Sequence, residues 1–241
     1  MATFVLIHGA WHGGWCWEEV VPRLEARGHK ALAPDLPGHA KLGPPPSEVS
    51  LARYCDAVAG LILEQSENVL LVGHSMGGVV ISQVAEQVPQ RIARLVYLTA
   101  ILPRDGASLM ETNRDDSDSL LARNRVLSED RSYMTLKPDG VIPMFYHDCP
   151  EPVAQRAIAR LVPQPVAPIA TPVHLTSGNW GTIPRTYIKC LRDRALTPQL
   201  QEAMIEAQPC RPVHELDTGH FPQYAAPAAL CDILHQEARP A

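Results

Sequence analysis

The sequence predicts an α/β fold with a mostly parallel central sheet, helices on both faces and one insertion. Short, wholly apolar runs such as Phe4-Val5-Leu6-Ile7 recur along the chain, as expected for strands covered on both faces. Helical patterns separate them at short intervals, and this strand–helix alternation requires crossover connections and hence parallel pairing. The 241 residues are enough for one large core, and the 46% apolar content, spread along the chain, excludes wholesale disorder.

Taken in order, Phe4–Ile7 is the first strand and stops at His8-Gly9-Ala10, after which residues 18–26 show a helical apolar pattern. Residues 30–33 form a second strand, closed by Pro34 and the turn Asp35-Leu36-Pro37-Gly38-His39. The prolines at 44–46 make a loop. Ser50 caps a helix over 51–63 in which Tyr54, Val58, Leu61 and Ile62 recur near helical spacing. Residues 68–72 are a strand, 79–88 a helix stopped by Pro89, and 95–99 the next strand.

The rhythm then breaks. Residues 104–172 read as an insertion over the sheet edge, leaving 1–103 and 173–241 as the core. Within it, 132–136 and 141–145 flank Lys137-Pro138-Asp139-Gly140 and predict a hairpin, and 151–161 a helix. The core pattern resumes with a strand at 185–191, a helix at 197–207, a strand at 213–216 and a last helix over 222–237.

The net charge of -5 arises from 26 acidic and 21 basic residues, well mixed. No basic tract suits nucleic acid or an anionic membrane, and no run reaches the length of a membrane span. The six cysteines form no Cys-x-x-Cys pair and read as scattered thiols. With no basic leader and apolar stretch ahead of Phe4, the expected address is cytoplasmic.

The chemistry concentrates in Gly73-His74-Ser75-Met76-Gly77. A nucleophilic serine on a sharp strand-to-helix turn needs small residues around it, and this G-x-S-x-G run lies between an apolar strand and a helix. A serine also needs a base. His220 lies between the last strand and the last helix, on the rim expected for Ser75, whereas His214 falls inside a strand and His235 inside a helix. The third member is a carboxylate that fixes the imidazole tautomer. Asp193, just past the 185–191 strand, is favoured; Asp217 and Asp105 are the alternatives. The amide of Met76 at the start of its helix and that of Ala10 in the first glycine-rich loop are candidate oxyanion donors. That loop matches neither a dinucleotide fingerprint nor a P-loop. His8, His12 and Asp35 lack metal-ligand spacing, so neither cofactor nor metal is expected.

In combination, residues 4–15 (FVLIHGAWHGGW), 33–39 (APDLPGH), 73–78 (GHSMGG), Tyr187-Ile188 with Asp193, and Gly219-His220 resemble the α/β-hydrolase superfamily. The nearer likeness is to its small esterase and hydroxynitrile-lyase branch, including plant methylesterases and bacterial esterases that cleave pyrethroid-type esters. The likeness spans the chain except about 104–181. It implies the α/β-hydrolase fold with a small cap, a Ser75, Asp193 and His220 triad, and an oxyanion hole from Ala10 and Met76. The implied activity is hydrolysis of a small or medium hydrophobic ester through an acyl-enzyme. Cyanohydrin-cleaving relatives carry a lysine after the histidine and a threonine after the first-loop histidine. This chain has Phe221 and Gly9 there, which favours the esterase over the lyase. Gly9, Trp11, Met144, Phe145, Tyr146, Trp180 and Phe221 are the candidate substrate contacts, with plain packing of the insertion onto the sheet as the alternative for Met144, Phe145, Tyr146 and Trp180. The expected partner is a small-molecule ester; a homodimer stays open. The rival readings are a lyase or carbon–carbon bond hydrolase of the same fold, and a catalytically weak small-molecule receptor.

Overall fold

The computed structural model describes residues 1–40 and 43–239; positions 41–42 and 240–241, inside the expected core segments, lie outside the described residues. The chain runs β1 (Thr3–Ile7), α1 (Val21–Glu25), β2 (Lys30–Leu32), α2 (Leu51–Leu63), β3 (Val69–His74), α3 (Gly77–Gln87) and β4 (Ile92–Leu98). It continues through α4 (Leu109–Thr112), α5 (Leu121–Asn124), β5 (Arg125–Leu127), β6 (Tyr133–Leu136), α6 (Pro138–Val141), a π-helical turn (Ile142–Tyr146), α7 (Glu151–Ile158), β7 (Gln164–Pro165) and α8 (Val166–Ala170). It closes with β8 (Arg185–Cys190), α9 (Pro198–Ala207), β9 (Val213–Leu216), α10 (Pro222–Ala225) and α11 (Pro227–Glu237).

The main sheet has the order β2-β1-β3-β4-β8-β9, parallel throughout. From β1 the chain steps outward to β2, returns across β1 to β3, and then advances to β9. Because crossovers are right-handed, this reversal puts α1 on one face and α2 and α3 on the other. The packing agrees, with α1 against α11 and α2 against α3. Ligand sites of such sheets open at the carboxyl ends of the strands where the direction reverses; here that is the gap between β1 and β3.

Local sequence explains these elements. All six residues of β3 are buried, as a central strand demands. In α2 the buried Leu51, Tyr54, Cys55, Val58, Ala59 and Ile62 form one stripe, and the Ser50 side chain caps it by accepting from the Arg53 amide. The expected last helix is two helices, because Pro227 restarts the chain after α10.

The expected hairpin at 132–145 is corrected. Residues 133–136 are a strand, but its antiparallel partners are β5 and β7. Residues 138–146 are helical, with Pro138 at the first helical position and the Gly140 amide donating to the Lys137 carbonyl. Burial of the consecutive Met144, Phe145 and Tyr146 favours a tight helical turn over a strand, which would turn alternate side chains to opposite faces.

Two glycines test the packing. Gly60 is exposed in α2 with nothing near its absent side chain, whereas a Cβ on Gly78 would lie 2.1 Å from the Ile101 carbonyl oxygen. Gly60→Ala should raise stability by about 1 kcal/mol, and Gly78→Ala should lower it by about 1–3 kcal/mol or more. Thermal melts check both; equal midpoints would contradict this packing.

Candidate active site

Ser75 occupies the turn between β3 and α3 with φ +55°. A left-handed serine is strained by roughly 1–3 kcal/mol and needs a surrounding that holds it. Its carbonyl accepts from the amides of Gly78 (3.1 Å) and Ile101 (3.0 Å). A Cβ on Gly73 would sit 2.6 Å from the Gly77 carbonyl oxygen, and one on Gly77 2.8 Å from that of Ile7. The glycines let β3, α3 and β1 approach closely enough to form this elbow.

His220, between β9 and α10, places Nε2 3.0 Å from Ser75 Oγ and Nδ1 2.6 Å from Asp193 Oδ2. An ionised carboxylate only accepts, so Nδ1 carries the proton and Nε2 faces the serine hydroxyl as acceptor. The Asp193 side chain is fully buried and fully used. Its Oδ1 takes the amides of Ala195 (2.7 Å) and Leu196 (3.0 Å), and its Oδ2 also takes the Thr99 hydroxyl (2.5 Å). Gln201 of α9 secures that loop: it accepts from the Cys190 amide and donates to the Cys190 and Leu196 carbonyls. Neither alternative acid reaches His220. Asp217 is exposed and paired with Arg192 at 2.9 Å, and Asp105 takes the Leu175 amide and faces His174.

Ala10 and Met76 line the same cavity as Ser75. Among the described residues, neither amide donates to a backbone carbonyl, so both are free to meet a negative oxygen. Gly9 abuts the serine, since a Cβ there would lie 2.8 Å from Ser75 Cβ. Trp11, at φ +63°, lines the cavity and ties this loop to the insertion. Its indole N–H donates to the Met134 carbonyl (2.9 Å), its amide to Gln164 Oε1 (3.3 Å), and its carbonyl accepts from Val162 (3.0 Å).

The other sequence candidates fall elsewhere. Met144, Phe145, Tyr146 and Phe221 are buried and do not line the cavity. The three aromatics pack behind the histidine: the Phe145 ring stacks on His220 at 5.2 Å, and Phe221 lies against His12, His74 and Tyr146. Trp180 does not line the cavity either. It precedes β8, at the end of the sheet opposite Ser75, where its indole donates to the Tyr97 hydroxyl (3.0 Å) and lies under the Arg185 guanidinium. The cavity measures about 20 Å³, room for about one water. Its apolar walls include Ile101, Leu109, Leu121, Met134, Ile169 and Leu196. Most of these lie in the aperiodic insertion, where no pattern singled them out; Thr99 and Gln201 likewise carried no motif.

Three buried histidines brace the first loop. His8 donates to the Gly9 carbonyl (2.8 Å) and accepts from Leu36, and His39 donates to the His12 carbonyl (2.6 Å) and accepts from Tyr54. His12 donates to the Ala10 carbonyl (2.7 Å) and accepts from the Tyr146 hydroxyl (2.5 Å). Burial pushes all three down from 6.5 to about 3, and holds His74 well below its ordinary value. They brace the loop as neutral rings. Among the described residues no three His, Cys, Asp or Glu converge as a metal site.

A family model described as "Alpha/beta hydrolase family" matches residues 4–233. The chain belongs to the alpha/beta hydrolase family. Putative methylesterase 13, chloroplastic, of Arabidopsis thaliana is 30% identical over 248 residues, which cover 96% of this chain and 55% of that protein. The chain thus spans about half the length of that relative. Pyrethroid hydrolase of Sphingobium wenxiniae is 32% identical over 247 residues, 97% of this chain and 86% of its own. The crystal structure of a pyrethroid hydrolase from Sphingobium faniae superposes with a TM-score of 0.87 at 29% identity, covering 98% of this chain and 96% of the other.

The neutral histidines make stability depend on acid. In the unfolded chain each takes a proton near pH 6.5, whereas folded His8, His12 and His39 resist until about pH 3. Between those values the unfolded chain binds more protons, so stability is complete above pH 6.5 and drains as pH falls through the window. Calorimetric midpoints should decline steadily from pH 7 to pH 4; a flat profile would show that these rings are not held neutral.

Proposed function

We propose that the protein is a serine carboxylesterase that hydrolyses a small or medium hydrophobic ester through an acyl-enzyme. One observation carries this: a single imidazole, that of His220, bridges the Ser75 hydroxyl at 3.0 Å and the buried Asp193 carboxylate at 2.6 Å. The names of the methylesterase and pyrethroid-hydrolase relatives support the ester class.

Ser75 Oγ attacks the ester carbonyl while His220 Nε2 takes its proton. Asp193 keeps the ring in the correct tautomer and stabilises its charged form. The developing oxyanion is met by the amides of Ala10 and Met76. His220 then returns the proton to the departing alcohol, leaving Ser75 acylated. Water attacks the acyl-enzyme with His220 again as base, releasing the acid and restoring the serine. Residues 104–172 act as a cap that closes the cavity over Ser75. No lysine follows His220; buried Phe221 stands there, so the site lacks the cation a departing cyanide would need. The six unpaired cysteines suit the reducing cytoplasm, and no described helix is long and apolar enough to cross a membrane.

Hydrolysis of 4-nitrophenyl acetate should fall to background in Ser75→Ala with an unchanged circular dichroism spectrum. Asp193→Asn should cost about 10³–10⁴-fold in kcat through the wrong tautomer. A fluorophosphonate should label the intact protein once, at Ser75 by peptide mass mapping. Labelling at another serine, or tight ester binding without turnover, would refute the assignment, the latter in favour of a receptor.

A further inference from the structure

The walls of the Ser75 cavity are apolar and buried, and its polar lining is confined to partly buried positions. Apart from Ser75, the lining residues that remain partly exposed are Asn113 and Arg125, so a carboxamide and a guanidinium stand where the cavity meets solvent. Arg125 opens β5 and pairs across the ladder with Leu136, while Leu127 pairs with Met134. Paired residues share a face, and alternate residues along a strand return to it. Arg125 therefore belongs to the same face as Met134, whose side chain is buried in the cavity wall.

Among the described residues Arg125 takes part in no ion pair, a property it shares with other arginines of the insertion such as Arg114 and Arg123; what sets it apart is that it lines the Ser75 cavity. Arginine cannot shed its charge by deprotonating, and its planar fork suits a carboxylate or another anionic oxygen pair. Arg125, partly buried and lining an apolar cavity, is thus a ready counter-charge. The chain as a whole carries -5, which repels anions, so any preference for one must come from a local group of this kind.

We propose that Arg125 is a substrate-binding residue that selects esters bearing a negative charge, with the reacting carbonyl in the cavity and the anionic group held at its mouth beside Asn113. This rests on the esterase reading of Ser75 and names the substrate class more narrowly: an amphipathic ester, apolar around the scissile bond and anionic at one end.

The test compares kcat/KM within two matched pairs. In one the charge is on the acyl side, 4-nitrophenyl hydrogen glutarate against 4-nitrophenyl valerate. In the other it is on the alcohol side, 4-acetoxybenzoate against 4-acetoxybenzamide. In Arg125→Met the anionic member of at least one pair should lose about tenfold, with its neutral partner within about twofold. Arg125→Glu should lose more on the same member, and Arg125→Lys should retain part of the preference. Added salt should shrink the discrimination of the unsubstituted protein, because the mouth is open to solvent. The pair that responds identifies which side of the ester reaches Arg125. Equal effects on both members of both pairs, or none, would overturn the proposal while leaving the esterase reading intact. If the unsubstituted protein does not hydrolyse even neutral 4-nitrophenyl valerate, the esterase reading fails and this inference falls with it.

Discussion

The buried carboxylate of Asp193 organises the rim of the sheet. Burying a charge without partners is costly, and this one is surrounded by four donors from three separate stretches of chain. Thr99 arrives from the end of β4, the amides of Ala195 and Leu196 from the carboxylate's own loop, and His220 from the loop after β9. The same contact that satisfies the charge therefore fixes the imidazole. A looser acid, such as exposed Asp217, would carry no comparable constraint.

Backbone strain lies along the same rim. Among the described residues, four other than glycine have positive φ: Trp11, Ser75, Thr99 and Arg131. Three of them follow β1, β3 and β4, which are neighbours in the sheet. At Ser75 the strain raises the hydroxyl above the strand end, at Thr99 it accompanies the bond to Asp193, and at Trp11 it accompanies the tether to the insertion. Strain of this kind persists only where surrounding packing over-determines the backbone, and the close approaches at Gly73 and Gly77 supply that packing.

The insertion does more than cover the sheet. Tyr146 bonds His12, which bonds the carbonyl of Ala10; Phe145 stacks on His220; and Asp148 takes the Gly219 amide at 2.6 Å. The position of the insertion is thereby coupled to both the first loop and the histidine loop. The cavity beneath it measures about 20 Å³. The Trp11 tether joins this layer to the loop that carries the amide of neighbouring Ala10.

Much of this was written into the chain locally. Apolar runs announced the strands because a central strand must be apolar on both faces, and Ser50 and the α2 stripe announced their helix by capping and period. The glycines around Ser75 marked an elbow that larger side chains would obstruct, and the order of serine, acid and histidine along the chain pointed to one rim. Tertiary structure alone decided the rest. Asp193, and neither Asp217 nor Asp105, meets His220 because of where β8 and α9 deliver its carboxylate, a matter of distance that spacing does not encode. For Trp180 and the 144–146 segment the chain leaves packing and ligand contact open, because an aromatic has the same sequence signature whether it faces a ligand or packs behind another ring. Arg125 carries no sequence signal for a related reason: that it borders a cavity, and forms no ion pair among the described residues, is visible only in the folded chain.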